Sequence, residues 1–150
     1  MDPADRQRPT LLVVDDEAQI LSALRRCLRR EGYELLTETS PDAGLSLLKT
    51  QRVDAILSDQ KMPGMSGVQF LEQAAALQPE AVLMLITGWT EEIPPERLEE
   101  VGIRAIVTKP WDDARLKATL RKALKPASVA SSETGDSDNP DPSSDYSWLR

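Results

Sequence analysis

The chain has 150 residues, 40% of them hydrophobic, which suits one domain with a core of ordinary size. Its formal charge of −7 argues against direct nucleic-acid binding. The chain has no histidine, which excludes a histidine base, a histidine metal ligand and a phosphohistidine. A single cysteine, Cys27, allows no internal disulfide, and no run reaches the roughly 18 apolar residues of a membrane span. We therefore expect a cytoplasmic protein with no membrane insertion, in which Cys27 is a buried thiol.

Short apolar runs that end in polar residues predict five strands, each followed by a helix. The strands are predicted at residues 11–14, 33–38, 53–58, 82–86 and 103–107. Helical spacing and capping residues predict helices at 17–31, 41–50, 67–78, 95–101 and 113–125. The second strand is the most polar of the five, as expected for a strand at the edge of a sheet.

Five repeated strand–helix units predict an α/β fold, a doubly wound parallel sheet with strand order 2-1-3-4-5. From residue 126 onward the sequence is rich in Ser, Asp and Pro and carries five acidic residues and one basic residue. We predict a flexible N-terminal arm at residues 1–9, one domain at 10–125 and a disordered acidic tail at 126–150. Because the tail accounts for −4 of the charge of −7, the domain itself carries about −3.

Polar residues follow four of the predicted strands. They are Asp15 with Asp16, Asp59, Thr87, and Lys109 with Pro110. Taken singly, each has an ordinary explanation as a helix cap, a turn residue or a solvated side chain. Because the carboxyl ends of parallel strands meet at one edge of a sheet, we expect all four to form one site. Three carboxylates, a hydroxyl and an ammonium suit a divalent cation beside a phosphoryl group.

These residues carry a family resemblance over roughly residues 10–125. The segments LVVDDE at 12–17, SDQKMPGMSG at 58–67, TG at 87–88 and KPW at 109–111 resemble the receiver domain of two-component response regulators, the CheY-like family. The resemblance implies the flavodoxin-like receiver fold, which has the strand order inferred above. It also implies a phosphorelay signalling role rather than an independent metabolic activity.

By this resemblance, Asp59 is the phosphoacceptor and takes a phosphoryl group from a histidine kinase or phosphotransfer protein. Asp15, Asp16, Asp59 and the backbone carbonyl of Lys61 would surround Mg²⁺, a hard cation that prefers oxygen ligands. Thr87 and Lys109 would contact the phosphoryl oxygens. The resemblance further implies a cis peptide bond between Lys109 and Pro110.

One position departs from the family pattern. The family has an aromatic switch residue three positions before the lysine, and Ile106 stands there in this chain. We expect switching of the face formed by helix 4, strand 5 and helix 5 to depend on Thr87 and its loop instead. Trp89 is either a shield that protects the phosphoryl group from water or a surface aromatic residue.

Two other classes of function remain open. A constitutive protein-binding scaffold with a vestigial phosphorylation site would also keep this fold. A phosphatase of the haloacid-dehalogenase type also uses Asp and Mg²⁺, but Glu17 and Ala18 fit poorly after a nucleophilic Asp15. Two regions outside the site carry weaker hypotheses: arginines of helix 1 as a docking face for the kinase, and Tyr146, Trp148 and Leu149 as a peptide that binds a partner.

Overall fold

The computed structural model describes residues 8–88 and 93–124. In this part of the chain, five parallel strands alternate with five helices. The strands are β1 (Thr10–Val14), β2 (Glu34–Glu38), β3 (Ala55–Asp59), β4 (Val82–Thr87) and β5 (Ile103–Thr108). The helices are α1 (Ala18–Leu28), α2 (Pro41–Leu48), α3 (Gly67–Leu77), α4 (Pro95–Val101) and α5 (Asp113–Ala123).

The strand order is β2-β1-β3-β4-β5, which confirms the predicted doubly wound sheet and places the polar strand β2 at an edge. In register, Val14 of β1 pairs with Ser58 of β3, and Asp59 pairs with Ile86 of β4. The carboxyl ends of β1, β3 and β4 are therefore level with one another.

Helices cover both faces of the sheet, so the core has two halves. Alternate side chains of each central strand point to opposite faces: Leu12 and Ile56 belong to one buried cluster, while Val13 and Leu57 belong to the other. All four side chains are fully buried. Burial on both faces explains why these strands are continuously apolar in sequence.

Local sequence signals fix several helix starts. Ser40 and Asp112 cap α2 and α5, and Ser66 with Gln69 forms a complete capping box at the start of α3. The three capped helices start at the predicted residues 41, 67 and 113. The peptide bond between Lys109 and Pro110 is cis, also as predicted.

Several predictions at helix ends were wrong. Helix α1 ends at Leu28 instead of residue 31, and α2 ends at Leu48 instead of residue 50. In each case the residues beyond the helix form turns, and the turn after α1 leads to Gly32, whose φ of 87° lies in the left-handed region. The prediction of a buried Cys27 was also wrong, because this side chain is only half-buried beside Trp111.

The described residues include no helix with both the length and the apolar character needed to cross a bilayer. Residues 1–7, 89–92 and 125–150 lie outside the described part of the chain. The predicted N-terminal arm falls mostly in the first of these ranges, Trp89 in the second, and the predicted acidic tail with Tyr146, Trp148 and Leu149 in the third.

Candidate functional site

Four strands place polar side chains at one edge of the sheet. Asp59 is the last residue of β3 and Thr87 the last of β4, while Asp15 and Lys109 each follow directly after a strand. Asp15, Asp59 and Thr87 are all buried, which is unusual for polar groups and indicates that the fold holds them in place.

Lys109 joins two of the carboxylates. Its Nζ lies 3.0 Å from Oδ2 of Asp15 and 3.2 Å from Oδ1 of Asp59. The Lys109 backbone N–H donates to the carbonyl of Thr87 at 3.1 Å, which fixes the start of the β5–α5 connection against the end of β4. The sheet edge thus gathers an ammonium and two carboxylates from three separate strands.

Asp15, Asp16 and Asp59 form an acidic cluster, in which each residue offers a carboxylate oxygen within 4.8 Å of those of the other two. Oδ1 of Asp15 accepts a hydrogen bond from the backbone N–H of Glu17 at 2.9 Å, which orients the carboxylate. Oδ2 is buried and accepts no hydrogen bond of good geometry within the described residues, although the Lys109 ammonium is near. Three carboxylates this close together, one of them with an under-satisfied buried oxygen, are a donor set that suits a hard divalent cation.

The same surroundings alter the protonation of the site. Burial first, and then the negative charge of Asp15, raise the pKa of Asp59 to about 6, even though the Lys109 ammonium acts in the opposite direction. Burial acts to lower the pKa of Lys109, but Asp15 and Asp59 outweigh it and raise the pKa. Lys109 is therefore a permanent cation at neutral pH, beside a carboxylate that is costly to ionise.

Gln60, in the β3–α3 connection, and Gly67, the first residue of α3, support the site, and the sequence analysis gave neither of them a role. Gln60 binds the first turn of α3 twice: its backbone carbonyl accepts from Gly67 N–H at 2.9 Å, and its Oε1 accepts from Val68 N–H at 3.0 Å. A Cβ on Gly67 would overlap the backbone carbonyl of Asp59. A glycine at the first position of a helix is unfavourable in itself, and that was the one available signal.

The remaining predicted site residues lie as follows. Lys61 is an exposed residue two positions after Asp59, in the β3–α3 connection. Ile106 is 4% exposed and packs in the same core cluster as Leu98 and Ile103. Trp89 lies outside the described residues, so its predicted shielding role stays a prediction.

Comparison with known proteins identifies the family to which this chain belongs. A sequence model of the response regulator receiver domain matches residues 11–121. The chain is 42% identical over 123 residues to the hydrogenase transcriptional regulatory protein HoxA of Cupriavidus necator, an alignment that covers 81% of this chain and 25% of that protein. This chain belongs to the response regulator receiver domain family of two-component systems.

Solved structures show the same fold. The signal receiver domain of an HD domain-containing protein from Pseudomonas fluorescens Pf-5 superimposes with a TM-score of 0.75 at 29% identity, covering 85% of this chain and 94% of that one. A CheY-like receiver domain from Methanospirillum hungatei gives a TM-score of 0.71 at 28% identity, covering 78% and 94%. The flavodoxin-like receiver fold is thus confirmed. The chain spans about a quarter of the length of the HoxA proteins that it matches.

Proposed function

We propose that this chain is a phosphorylation-driven switch in which Asp59 accepts a phosphoryl group from a histidine kinase or a phosphotransfer protein. The observation that carries the proposal is the position of Asp59, a nearly buried carboxylate at a strand end, held between two further acids and the Lys109 ammonium. Membership of the receiver family supports the same assignment.

In the proposed reaction, a carboxylate oxygen of Asp59 forms a bond to phosphorus while the bond from phosphorus to the donor imidazole nitrogen breaks. The imidazole keeps the bonding electron pair and takes up a proton. Lys109 is in place to pair with a phosphoryl oxygen, since its Nζ already lies 3.2 Å from Asp59. Such a transfer depends mainly on in-line positioning and on neutralised charge.

Asp15, Asp16, Asp59 and the Lys61 carbonyl would hold Mg²⁺, which supplies positive charge to offset the carboxylates and the incoming phosphoryl oxygens. The under-satisfied Oδ2 of Asp15 supports this assignment. The contribution of the chain is to hold the acids together, with the Glu17 N–H and the Lys109 ammonium orienting Asp15.

We further propose that the signal leaves the site through Thr87 and the segment after β4, toward the face formed by α4, β5 and α5. Ile106 occupies the position of the usual aromatic switch and is already packed in the core, so it has no exposed orientation from which to turn inward. Trp89, two residues after Thr87, is proposed to shield the phosphoryl group from water. A cytoplasmic location and action through protein partners, rather than through direct nucleic-acid binding, complete the proposal.

The test is covalent phosphorylation. Incubation with acetyl phosphate and Mg²⁺ should add one phosphoryl mass to the wild-type chain and none to Asp59→Asn, as measured by intact mass spectrometry. Chelation of Mg²⁺ should abolish the addition. A wild-type chain that stays unmodified under these conditions would favour a constitutive scaffold with a vestigial site.

A phosphatase of the haloacid-dehalogenase type would behave differently, because it would turn over phosphomonoesters through Asp15. In the structure, Asp15 is fully buried, and Lys109 lies close to its Oδ2. Hydrolysis of p-nitrophenyl phosphate that persists in Asp59→Asn and is lost in Asp15→Asn would support that alternative.

A further inference from the structure

A groove runs along α1 where the β5–α5 connection crosses it. Its volume is about 740 Å³, and its walls include Ile20, Ala23, Pro110 and Trp111. Arg26 adds positive charge, Lys109 lines the end next to the carboxylates that it binds, and Cys27 lies half-buried in the wall. The groove therefore offers an apolar floor with a basic border next to the Lys109 side of the acidic site.

The basic border continues past the end of α1. Arg29 follows the last residue of the helix and keeps helical backbone angles, so it continues the side of α1 that carries Arg26, and Arg30 follows in the turn. All three are exposed, and within residues 8–88 and 93–124 none forms an ion pair with a carboxylate. Asp113 is the acidic residue of the groove, and it accepts a hydrogen bond from Trp111 Nε1 at 3.0 Å. The groove and its border thus carry an excess of positive charge.

The chain itself contains a segment with the opposite character. Residues 126–150 include five acidic residues and one basic residue, the last acid being Asp145. Tyr146, Trp148 and Leu149 follow directly and supply large apolar groups. Acids followed by aromatic residues are complementary to a basic border beside an apolar groove.

The reach of this segment is more than sufficient. From Leu124 back to Trp111, the helix α5 and its flanks cover about 20 Å at 1.5 Å per residue. The chain from residue 124 to residue 148 can span up to about 80 Å when extended. The chain between residues 124 and 148 is therefore long enough for Trp148 to reach the groove.

We propose that residues 133–149 bind this groove within the same chain. The acidic residues lie against Arg26, Arg29 and Arg30, and Tyr146 and Trp148 occupy the apolar part between Ile20 and Trp111.

A tether makes weak contacts effective. Each exposed ion pair contributes only about 0–1 kcal/mol and is screened by salt. The linker holds the segment near the groove at an effective concentration of about 1 mM. An intrinsic dissociation constant of about 0.1 mM for the segment would then leave the groove occupied in roughly nine-tenths of the chains. We expect the occupied fraction to fall as the ionic strength rises.

Cys27 gives a direct test, because it is the only thiol of the chain and lies in the groove. The rate of its modification by a neutral maleimide, followed by intact mass, should rise at least about threefold in the double variant Asp145→Asn, Trp148→Ala. The matched control, Ser143→Ala with Ser144→Ala, changes the same segment without removing charge or aromatic area and should react like the wild type. High salt should accelerate the wild type and leave the double variant unchanged.

A synthetic peptide of residues 133–149, added to the double variant, should slow the modification again, and a scrambled peptide should not. Equal rates for the wild type and the double variant would overturn the proposal. Protection that grows with protein concentration would overturn it too, by showing that a second copy occupies the groove. Because the assay needs neither Mg²⁺ nor a phosphoryl donor, its result is independent of whether Asp59 is a phosphoacceptor.

Discussion

At the scale of single residues, the most consequential group is Asp59. Burial and the neighbouring Asp15 raise its pKa from 3.8 to about 6. A raised carboxyl pKa means that the folded chain binds a proton more tightly than the unfolded chain does. Stability from this group is therefore present below pH 4 and is lost as the pH rises toward 6.

We predict that Asp59→Asn stabilises the metal-free domain at pH 7. The ionised carboxylate no longer has to be buried beside Asp15, so the free energy of unfolding should rise by about 1–3 kcal/mol. Urea denaturation in the presence of a chelator measures this change, and the difference between variant and wild type should nearly vanish at pH 4. A variant that is less stable than the wild type at pH 7 would contradict the burial argument.

Gly67 gives a second prediction at this scale. An alanine there would press its Cβ into the backbone of Asp59 and Gln60, so Gly67→Ala should cost about 2–4 kcal/mol of stability and weaken phosphorylation. Gly88 is the matched control, since a Cβ at that position would meet its nearest described neighbour at an ordinary 3.7 Å. Thermal unfolding of both variants checks the contrast. If Gly88→Ala cost as much as Gly67→Ala, close backbone approach would not be the cause.

At the scale of elements, the β3–α3 connection ties the strand that ends at Asp59 to the next helix. Gln60 binds Gly67 and Val68, and Gln69 binds Ser66 at the same helix start. Both glutamines support α3, but only Gln60 adjoins Asp59 and the Lys61 carbonyl. Comparing Gln60 with Gln69 therefore distinguishes an effect on the stability of α3 from an effect on the site.

We predict that Gln60→Leu lowers the affinity for Mg²⁺ about three- to tenfold, because the Lys61 carbonyl loses its fixed position. The control Gln69→Leu should lose similar stability, about 1 kcal/mol, while binding Mg²⁺ like the wild type. Titration of Mg²⁺ against tryptophan fluorescence measures the affinity. Equal losses of affinity in the two variants would assign Gln60 to helix capping alone.

The elements themselves were largely predictable, and the reason is physical. Continuous apolar runs such as Leu11–Val14 have few other uses than a strand buried on both faces, and residues after such runs are brought together by sheet topology. Helix ends were less predictable, because α1 stops at Leu28 although its sequence could extend the helix further. The role of Gln60 depends on contacts across eight residues of an irregular connection, and no spacing rule covers these.

At the scale of the whole molecule, metal binding at the proposed site would be coupled to stability. If Asp15, Asp16 and Asp59 hold Mg²⁺, the metal binds only the folded chain and should raise the unfolding temperature in proportion to the logarithm of its concentration. Protons compete for Asp59, so we predict that the apparent affinity for Mg²⁺ falls as the pH drops below about 6. Thermal scans with and without Mg²⁺ at pH 5 and pH 8 test this. The control variant Asp59→Asn should show a smaller rise in unfolding temperature on addition of Mg²⁺. An equal response at both pH values would contradict it.

The short length of helix α4 affects which part of the domain unfolds first. It has seven residues, from Pro95 to Val101, and Gly102 ends it in a left-handed conformation. Leu98 and Val101 attach it to the core, and Arg97 bonds to Glu72 of α3 at 2.8 Å. With so few internal hydrogen bonds, its amide protons should exchange with deuterated solvent well before those of α3, making α4 the first foldon to detach from an otherwise intact sheet.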